Sequence, residues 1–152
     1  MSIIDMLKQD HQEAAAMMDQ IESAGKGNAS VMTTFNQLKE ALTLHTQIEE
    51  QIFYPALQNN DETEDQISES FEEHQEVKDL LAEMSGLQAG NTEFMSMMSN
   101  LRDSVEHHVE EEENELFPKA QEILGDSRLQ EMGRQMMQMK QGKSATATPK
   151  RQ

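Results

Sequence analysis

The chain has 152 residues, the length of one ordinary domain, so a single hydrophobic core is expected. Twelve basic against 29 acidic residues give a formal net charge of -17, which repels phosphate backbones and anionic lipid heads and argues against nucleic acid and membrane partners. There is no cysteine, so disulfides, thiolate zinc sites and iron–sulfur ligation are excluded, and any metal must bind through nitrogen and oxygen.

From Met1 to Asp10 there is neither a basic n-region nor an apolar h-region, and no apolar run is long enough to span a bilayer, so a cytoplasmic protein is expected. Glycines at 25, 27, 86, 90 and 125 interrupt sequence rich in helix-favouring residues. The segments between them predict helices over Ile3 to Ala24, Ser30 to Asn59, Glu62 to Gly86 and Thr92 to Leu124, with N-caps at Ser30, Asp61 and Asn91. A fifth, shorter helix is expected after a cap at Asp126 and fades near Gly142. Residues 142–152 lack the apolar side chains that repay ordering entropy and are read as a disordered tail, leaving one domain over 1–141. Pro55 and Pro118 fall inside the second and fourth helices, where each should kink or end its helix.

Apolar side chains recur with three-four spacing, the pattern of an antiparallel four-helix bundle. The first stripe runs Ile4, Leu7, His11, Ala14, Met18, Ile21, and the second Val31, Phe35, Leu38, Leu42, His45, Glu49, Ile52. The third contains Ile67, Phe71, His74, Leu81 and Met84, and the fourth Phe94, Met98, Leu101, Val105, His108, Glu112 and Leu116. Four histidines and two glutamates thus stand at interior positions. A single such histidine is ordinarily a hydrogen-bonded core residue, but two buried carboxylates beside four imidazoles make an unfavourable core unless a cation compensates them.

A shift of 63 residues carries His11 onto His74, His45 onto His108, Glu49 onto Glu112 and Pro55 onto Pro118. The flanks follow: Asp10 to Glu13 matches Glu73 to Glu76, and Glu50 and Tyr54 match Glu113 and Phe117. Two helix pairs should therefore face each other across an approximate two-fold axis, each giving two histidines and one carboxylate. In His45-x-x-x-Glu49 and His108-x-x-x-Glu112 the four-residue spacing puts imidazole and carboxylate one turn apart on one face. A glutamate can bridge two cations, so a binuclear centre with two histidines per metal follows, and mixed nitrogen and oxygen donors suit iron or manganese, with zinc also able to bind.

These residues, with FYP after Glu49, EEHQEV around His74 and LFP after Glu112, resemble the hemerythrin-like, or HHE cation-binding, domain over roughly residues 1 to 141. The segment Leu129 to Lys140 is similar to the helix that often follows that bundle. The resemblance implies a four-helix bundle around two iron ions in a non-haem centre, oxo- or hydroxo-bridged when oxidised, held by His11, His45, Glu49, His74, His108 and Glu112. It implies binding or sensing of dioxygen or iron, or chemistry on hydrogen peroxide or nitric oxide. Oxygen-carrying members have a fifth histidine one turn after the third-helix ligand. Lys78 stands there in this sequence, which predicts a more symmetric centre with open positions and argues against classical oxygen transport.

Other residues take plainer readings. His107, whose repeat partner is Leu44, lies beside the seam and is not expected to ligate. Lys78 has two readings, a solvated ammonium or one overhanging the pocket. Tyr54 and Phe35 have two readings, aromatics that line the pocket or packing residues, with packing ranked first. Of the run Glu110 to Glu113 only Glu112 has an interior position. Met132, Met136 and Met139 are read as packing rather than as a copper site, on a helix that could cover the bundle or bind a protein partner. Three functional classes follow, in order: a binding or sensing module, a peroxide- or nitric-oxide-processing enzyme, and a bundle stapled by its metal.

Overall fold

The structure, a computed structural model, describes residues 1–24, 29–88 and 90–147, with side chains up to residue 142. It is a four-helix bundle carrying a further helix: α1 (Ile3–Ala24), α2 (Ala29–Ile48), α3 (Glu64–Ser85), α4 (Thr92–Glu111) and α5 (Phe117–Ala147). α1 packs on α2, α3 on α4, and α5 returns against α1. None of the described helices is long and apolar enough to cross a membrane.

Differences from the sequence expectations are local. α2 begins at Ala29, so Ser30 lies in its first turn rather than at its cap; the Gly25 and Gly27 boundary lies outside the described residues. α3 begins at Glu64, not Glu62, because Thr63 is buried and its Oγ1 donates to the Leu57 carbonyl at 2.7 Å, which ties the preceding turn down. The cap therefore shifts from Asp61 to Thr63, while Asn60 Oδ1 accepts from the Glu62 N–H at 2.8 Å within the turn. Asn91 caps α4 as expected, accepting from the Glu93 N–H at 2.8 Å. The last helix continues past Gly142 to Ala147, into the segment read as tail; residues 148–152 lie outside the described residues.

Pro55 and Pro118 act through the turns that precede them. Glu49–Phe53 and Glu112–Leu116 are π-helical turns, closed by the Tyr54 N–H on the Glu49 carbonyl and the Phe117 N–H on the Glu112 carbonyl. A proline offers no N–H to the carbonyl four residues before it and its ring crowds that carbonyl, so the helix widens by one residue there. After the first π-turn a 3-10 turn, Tyr54–Ala56, ends the rod; after the second, α5 carries on to Gly125, whose φ of 79° breaks it.

The buried residues form two apolar clusters. One holds Ala14, Met18, Phe35, Leu42, Val77 and Val105 among others, with Phe35 and Phe94 edge-to-face at 5.2 Å, so Phe35 is a packing residue. The other holds Ile3, Leu7, Phe53, Phe117, Met132 and Met136, so these methionines spend the apolar face of α5 on this bundle. Between the clusters lies a layer of buried histidine and glutamate.

α5 comes so close to the N-terminus that a Cβ on Gly133 would run into backbone at Met1, Ser2 and Ile3, whereas a Cβ on Gly90 would meet nothing within 4 Å. Alanine would favour the helix at Gly133 by about 1 kcal/mol, but the contact is with backbone, and overpacking costs about 1–3 kcal/mol. Gly133→Ala should therefore lower the melting temperature by several degrees, at about 2–4 °C per kcal/mol for a chain of this size. Gly90→Ala should leave it in place. Equal melting of both variants would show that the N-terminus yields freely.

Candidate metal centre

All six interior residues converge. Exposure is 8% for His11, 6% for His45, 1% for His74, 7% for His108, 0% for Glu49 and 1% for Glu112. One ligand atom from each of His11, His45, Glu49 and Glu112 lies within 4.8 Å of the others, and the same holds for Glu49, His74, His108 and Glu112. The two sets share both glutamates, as the repeat predicts.

The orientation of each imidazole is fixed from outside. His11 Nδ1 meets Glu113 at 2.7 Å, His45 Nδ1 meets Asp10 at 2.9 Å, His74 Nδ1 meets Glu50 at 2.8 Å and His108 Nδ1 meets Glu73 at 2.6 Å. A carboxylate can only accept, so each Nδ1 carries the proton and each Nε2 is turned inward. Asp10 and Glu73, and Glu50 and Glu113, are again related by 63 residues. These four carboxylates were not singled out from the sequence, although the matching flanks contained them.

Inside, each Nε2 faces a carboxylate oxygen: His11 to Glu112 at 3.2 Å, His45 to Glu49 at 3.4 Å, His74 to Glu49 at 2.9 Å and His108 to Glu112 at 3.1 Å. His74 Nε2 and His108 Nε2 stand 3.2 Å apart. Lone pairs facing lone pairs at these distances require positive charge between them. His11 Nε2, His45 Nε2, Glu49 Oε2 and Glu112 Oε1 are moreover buried without a hydrogen-bond partner, and such orphaned atoms are costly. Separations near 3 Å are the edge lengths of a coordination shell with bonds of about 2.1 Å, so the donor set fits a small divalent or trivalent cation.

Protons are the alternative source of charge. Burial pushes the His45 imidazole toward neutrality, but the Glu49 carboxylate, hydrogen bonds with Asp10 and Glu49, and the charge of Glu112 prevail and raise it from 6.5 to about 10. His108 is raised against its burial by Glu112, Glu49 and Glu73. Glu49, which burial alone would raise, is held well below the usual carboxylate range by His45, His108 and His74.

Of the two readings of Tyr54, the structure supports the pocket-lining one over packing. The side chain is fully buried, and its hydroxyl, with one proton to donate, lies between Glu112 Oε2 and Glu49 Oε1, the latter at 3.0 Å, and sits 3.2 Å from His74 Nε2 and 3.3 Å from His108 Nε2. Burial, followed by the charges of Glu112 and Glu49, raises its phenol well above the ordinary value. The π-turn brings it there: an i to i+5 hydrogen bond places residue 54 over residue 49, a register that three-four spacing does not reveal. Its repeat partner Phe117 has no hydroxyl and lies parallel to the His11 ring at 6.0 Å. The half with His74 and His108 thus has a phenol oxygen that the half with His11 and His45 lacks.

His107 is 64% exposed, 3.6 Å from Glu73 and 3.2 Å from Glu111, outside the buried centre. Lys78 is neither free nor over the pocket; its Nζ lies 3.3 Å from both oxygens of Glu50, the carboxylate that orients His74. The fifth-histidine position therefore contributes no donor to the centre.

The sequence profile of the hemerythrin HHE cation binding domain matches residues 2–120. A protein of Nostoc sp. called a DNA nickase is 27% identical over 117 residues, 77% of this chain and 33% of that protein. A hemerythrin-like protein of Schizosaccharomyces pombe is 25% identical over 126 residues, 82% of this chain and 62% of that protein. The chain thus spans about a third and about three-fifths of the two relatives. The crystal structure of a hemerythrin HHE cation binding domain-containing protein from Mycobacterium kansasii superposes with a TM-score of 0.83 at 25% identity, covering 97% of this chain and 91% of that one. With the profile spanning most of the bundle and the buried histidine and glutamate layer at its centre, the chain belongs to the hemerythrin HHE cation-binding domain family.

Proposed function

We propose that the chain is a non-haem di-iron protein that binds or senses dioxygen or iron through the four histidines and two glutamates. The observation that carries this is the inward ring of four Nε2 atoms around two shared, buried carboxylates. Each shared glutamate offers one oxygen to either set, so two cations can be held by donors already in place. Iron, when bound, supplies redox chemistry and open coordination positions. The chain's own residues orient the imidazoles through Asp10, Glu50, Glu73 and Glu113, place the Tyr54 phenol on one half only, and exclude bulk water from the layer. The nickase activity named for the Nostoc relative is not carried over, since the match covers a third of that protein and a net charge of -17 repels phosphate.

Peroxide or nitric oxide chemistry is the second reading. It is favoured by the engagement of Lys78 with Glu50, which leaves no fifth imidazole to close a coordination position. Iron-loaded protein should then consume hydrogen peroxide faster than zinc-loaded protein; equal rates after correction for free iron would remove this reading and leave the first.

Metal analysis after ferrous reconstitution should give two ions per chain, and one or none would sink the binuclear proposal. Glu73→Gln and Asp10→Asn should each weaken metal binding by about 10- to 100-fold, since they loosen imidazoles without removing a ligand. Unchanged affinity would mean that the outer carboxylates are idle.

The raised His45 value fixes a pH dependence. Its protonation contributes stability that is complete below 6.5 and lost as pH rises through about 10. Chelator-treated protein should melt progressively lower across that window. Metal must displace the same protons, so metal affinity should rise over it and binding should release protons, measurable by calorimetry in buffers of different ionisation enthalpy.

Tyr54→Phe should make the two halves more alike. In a cobalt titration the wild-type protein should fill in two unequal steps and the variant in steps that draw together, whereas identical titrations would assign the phenol to packing after all.

A further inference from the structure

The carboxylates that orient the imidazoles differ in what their other oxygen meets. Asp10 turns Oδ2 to His45 and takes the Lys140 ammonium on Oδ1 at 2.7 Å, and Glu50 takes Lys78 at 3.3 Å. Glu73, the repeat partner of Asp10, turns Oε1 to His108 at 2.6 Å, but among the described residues its Oε2 meets no ammonium. That oxygen faces His107 Nε2 at 3.6 Å, and the same nitrogen lies 3.2 Å from Glu111 Oε2.

One ligand atom each from Glu73, His107 and Glu111 lies within 4.8 Å of the other two. His107 and Glu111 stand one turn apart on α4, and Glu73 comes from the adjoining α3. An imidazole beside a carboxylate one turn on is by itself an ordinary surface pair, and such pairs are worth little. Here a second carboxylate joins it, and the charge of a third, Glu69, acts on Glu111 as well. Among the described residues, the ion pairs of Glu73 and Glu111 are with histidines alone. Where one half of the repeat sets a lysine on its carboxylate, the other sets an imidazole and a further carboxylate, which are donors without a cation.

We propose that Glu73, His107 and Glu111 form an exposed second site for one divalent transition-metal cation, which stands on Glu73 as Lys140 stands on Asp10. One nitrogen and two carboxylate oxygens suit first-row divalent metals, and bonds of about 2.1 Å at tetrahedral angles set donors about 3.4 Å apart, between the two observed separations. His107 is 64% exposed, so the ion exchanges with solvent and keeps water at its remaining positions. A chain of net charge -17 draws cations to it. Glu73 gives one oxygen to each site, so an outer cation withdraws charge from the carboxylate that accepts the His108 Nδ1–H and weakens that hydrogen bond. The outer site stands without the di-iron reading; only its link to a buried metal rests on that reading.

Zinc is the probe, followed on the full chain by nitrogen-15 NMR of the five imidazoles. Added to chelator-treated protein, it should shift the four buried rings first and then, at higher concentration, the ring of His107, saturably and with one further ion per chain. Desalting should remove that ion and leave the buried ones. The His108 Nδ1 proton should move upfield in the second phase, while the His45 Nδ1 proton, held by Asp10, should stay. In equilibrium dialysis, His107→Ala and Glu111→Gln should each weaken uptake of the further ion by about tenfold or more. Glu110→Gln, which removes a neighbouring charge but no donor, should leave it nearly unchanged. A His107 ring that stays put in excess zinc, or equal loss of uptake in Glu110→Gln, the mark of diffuse attraction to an acidic face, would overturn the proposal. An unmoved His108 proton would overturn the link through Glu73. A shift of His107 without any shift of the four buried rings would sink the buried-metal reading and leave the outer site standing.

Discussion

Two carboxylates buried at 0% and 1% exposure set the terms for the rest of this structure. An unpaired buried carboxylate costs several kcal/mol, and Glu49 and Glu112 can be held only where positive charge is gathered around them. Four imidazoles provide the setting. They point inward because four further carboxylates hold their outer nitrogens, and those in turn are steadied in part by cations, Lys140 on Asp10 and Lys78 on Glu50. Charge thus alternates outward from the centre. Loss of any one layer leaves the next uncompensated, which is why the polar layer divides the apolar core yet belongs to one folding unit.

The approximate two-fold relation explains how such a layer is built, and its violations explain how its halves diverge. Ligands, orienting carboxylates and π-turns all obey the shift of 63 residues. Tyr54 against Phe117, Ala41 against Ser104 and Leu44 against His107 do not. The first mismatch places a phenol oxygen on one half; the other two set small and apolar side chains on α2 where α4 carries polar ones that meet Glu73, Glu76 and Glu111. Lys140, on a helix outside the repeat, adds a contact that no symmetric pair of helices could supply. α5 is therefore part of the centre's surroundings rather than an appendage.

The bundle and its six interior polar residues were legible because three-four spacing fixes which side chains face inward before any contact is known. His11, His45, His74 and His108 needed only their place in the stripe. Asp10 and Glu73 lay in plain view beside them, but adjacent residues point to different sides of a helix, and which neighbouring helix each would meet is a tertiary fact. The pocket-lining role of Tyr54 was ranked below packing for a different reason: the π-turn adds a residue to one turn and rotates everything after it, so Ile52 is only half-buried and Phe53 and Tyr54 take the interior. Proline at 55 signalled a disturbance without giving its form. The start of α3 was missed because a buried threonine spent its hydroxyl on the Leu57 carbonyl, an interaction with no local signature.

Magnitudes bear on whether the metal centre is merely a staple. A bundle selected for stability alone would fill the space of about 230 Å3 beside its imidazoles, since the aliphatic side chains of Ala14, Leu42, Val77 and Val105 that line it forgo packing contacts there. Bulkier aliphatic residues at Ala14 and Val77 would recover part of those contacts without touching a ligand. Space of this size beside four histidines leaves core side chains under-packed, which a bundle that needs its metal only as a staple would not retain.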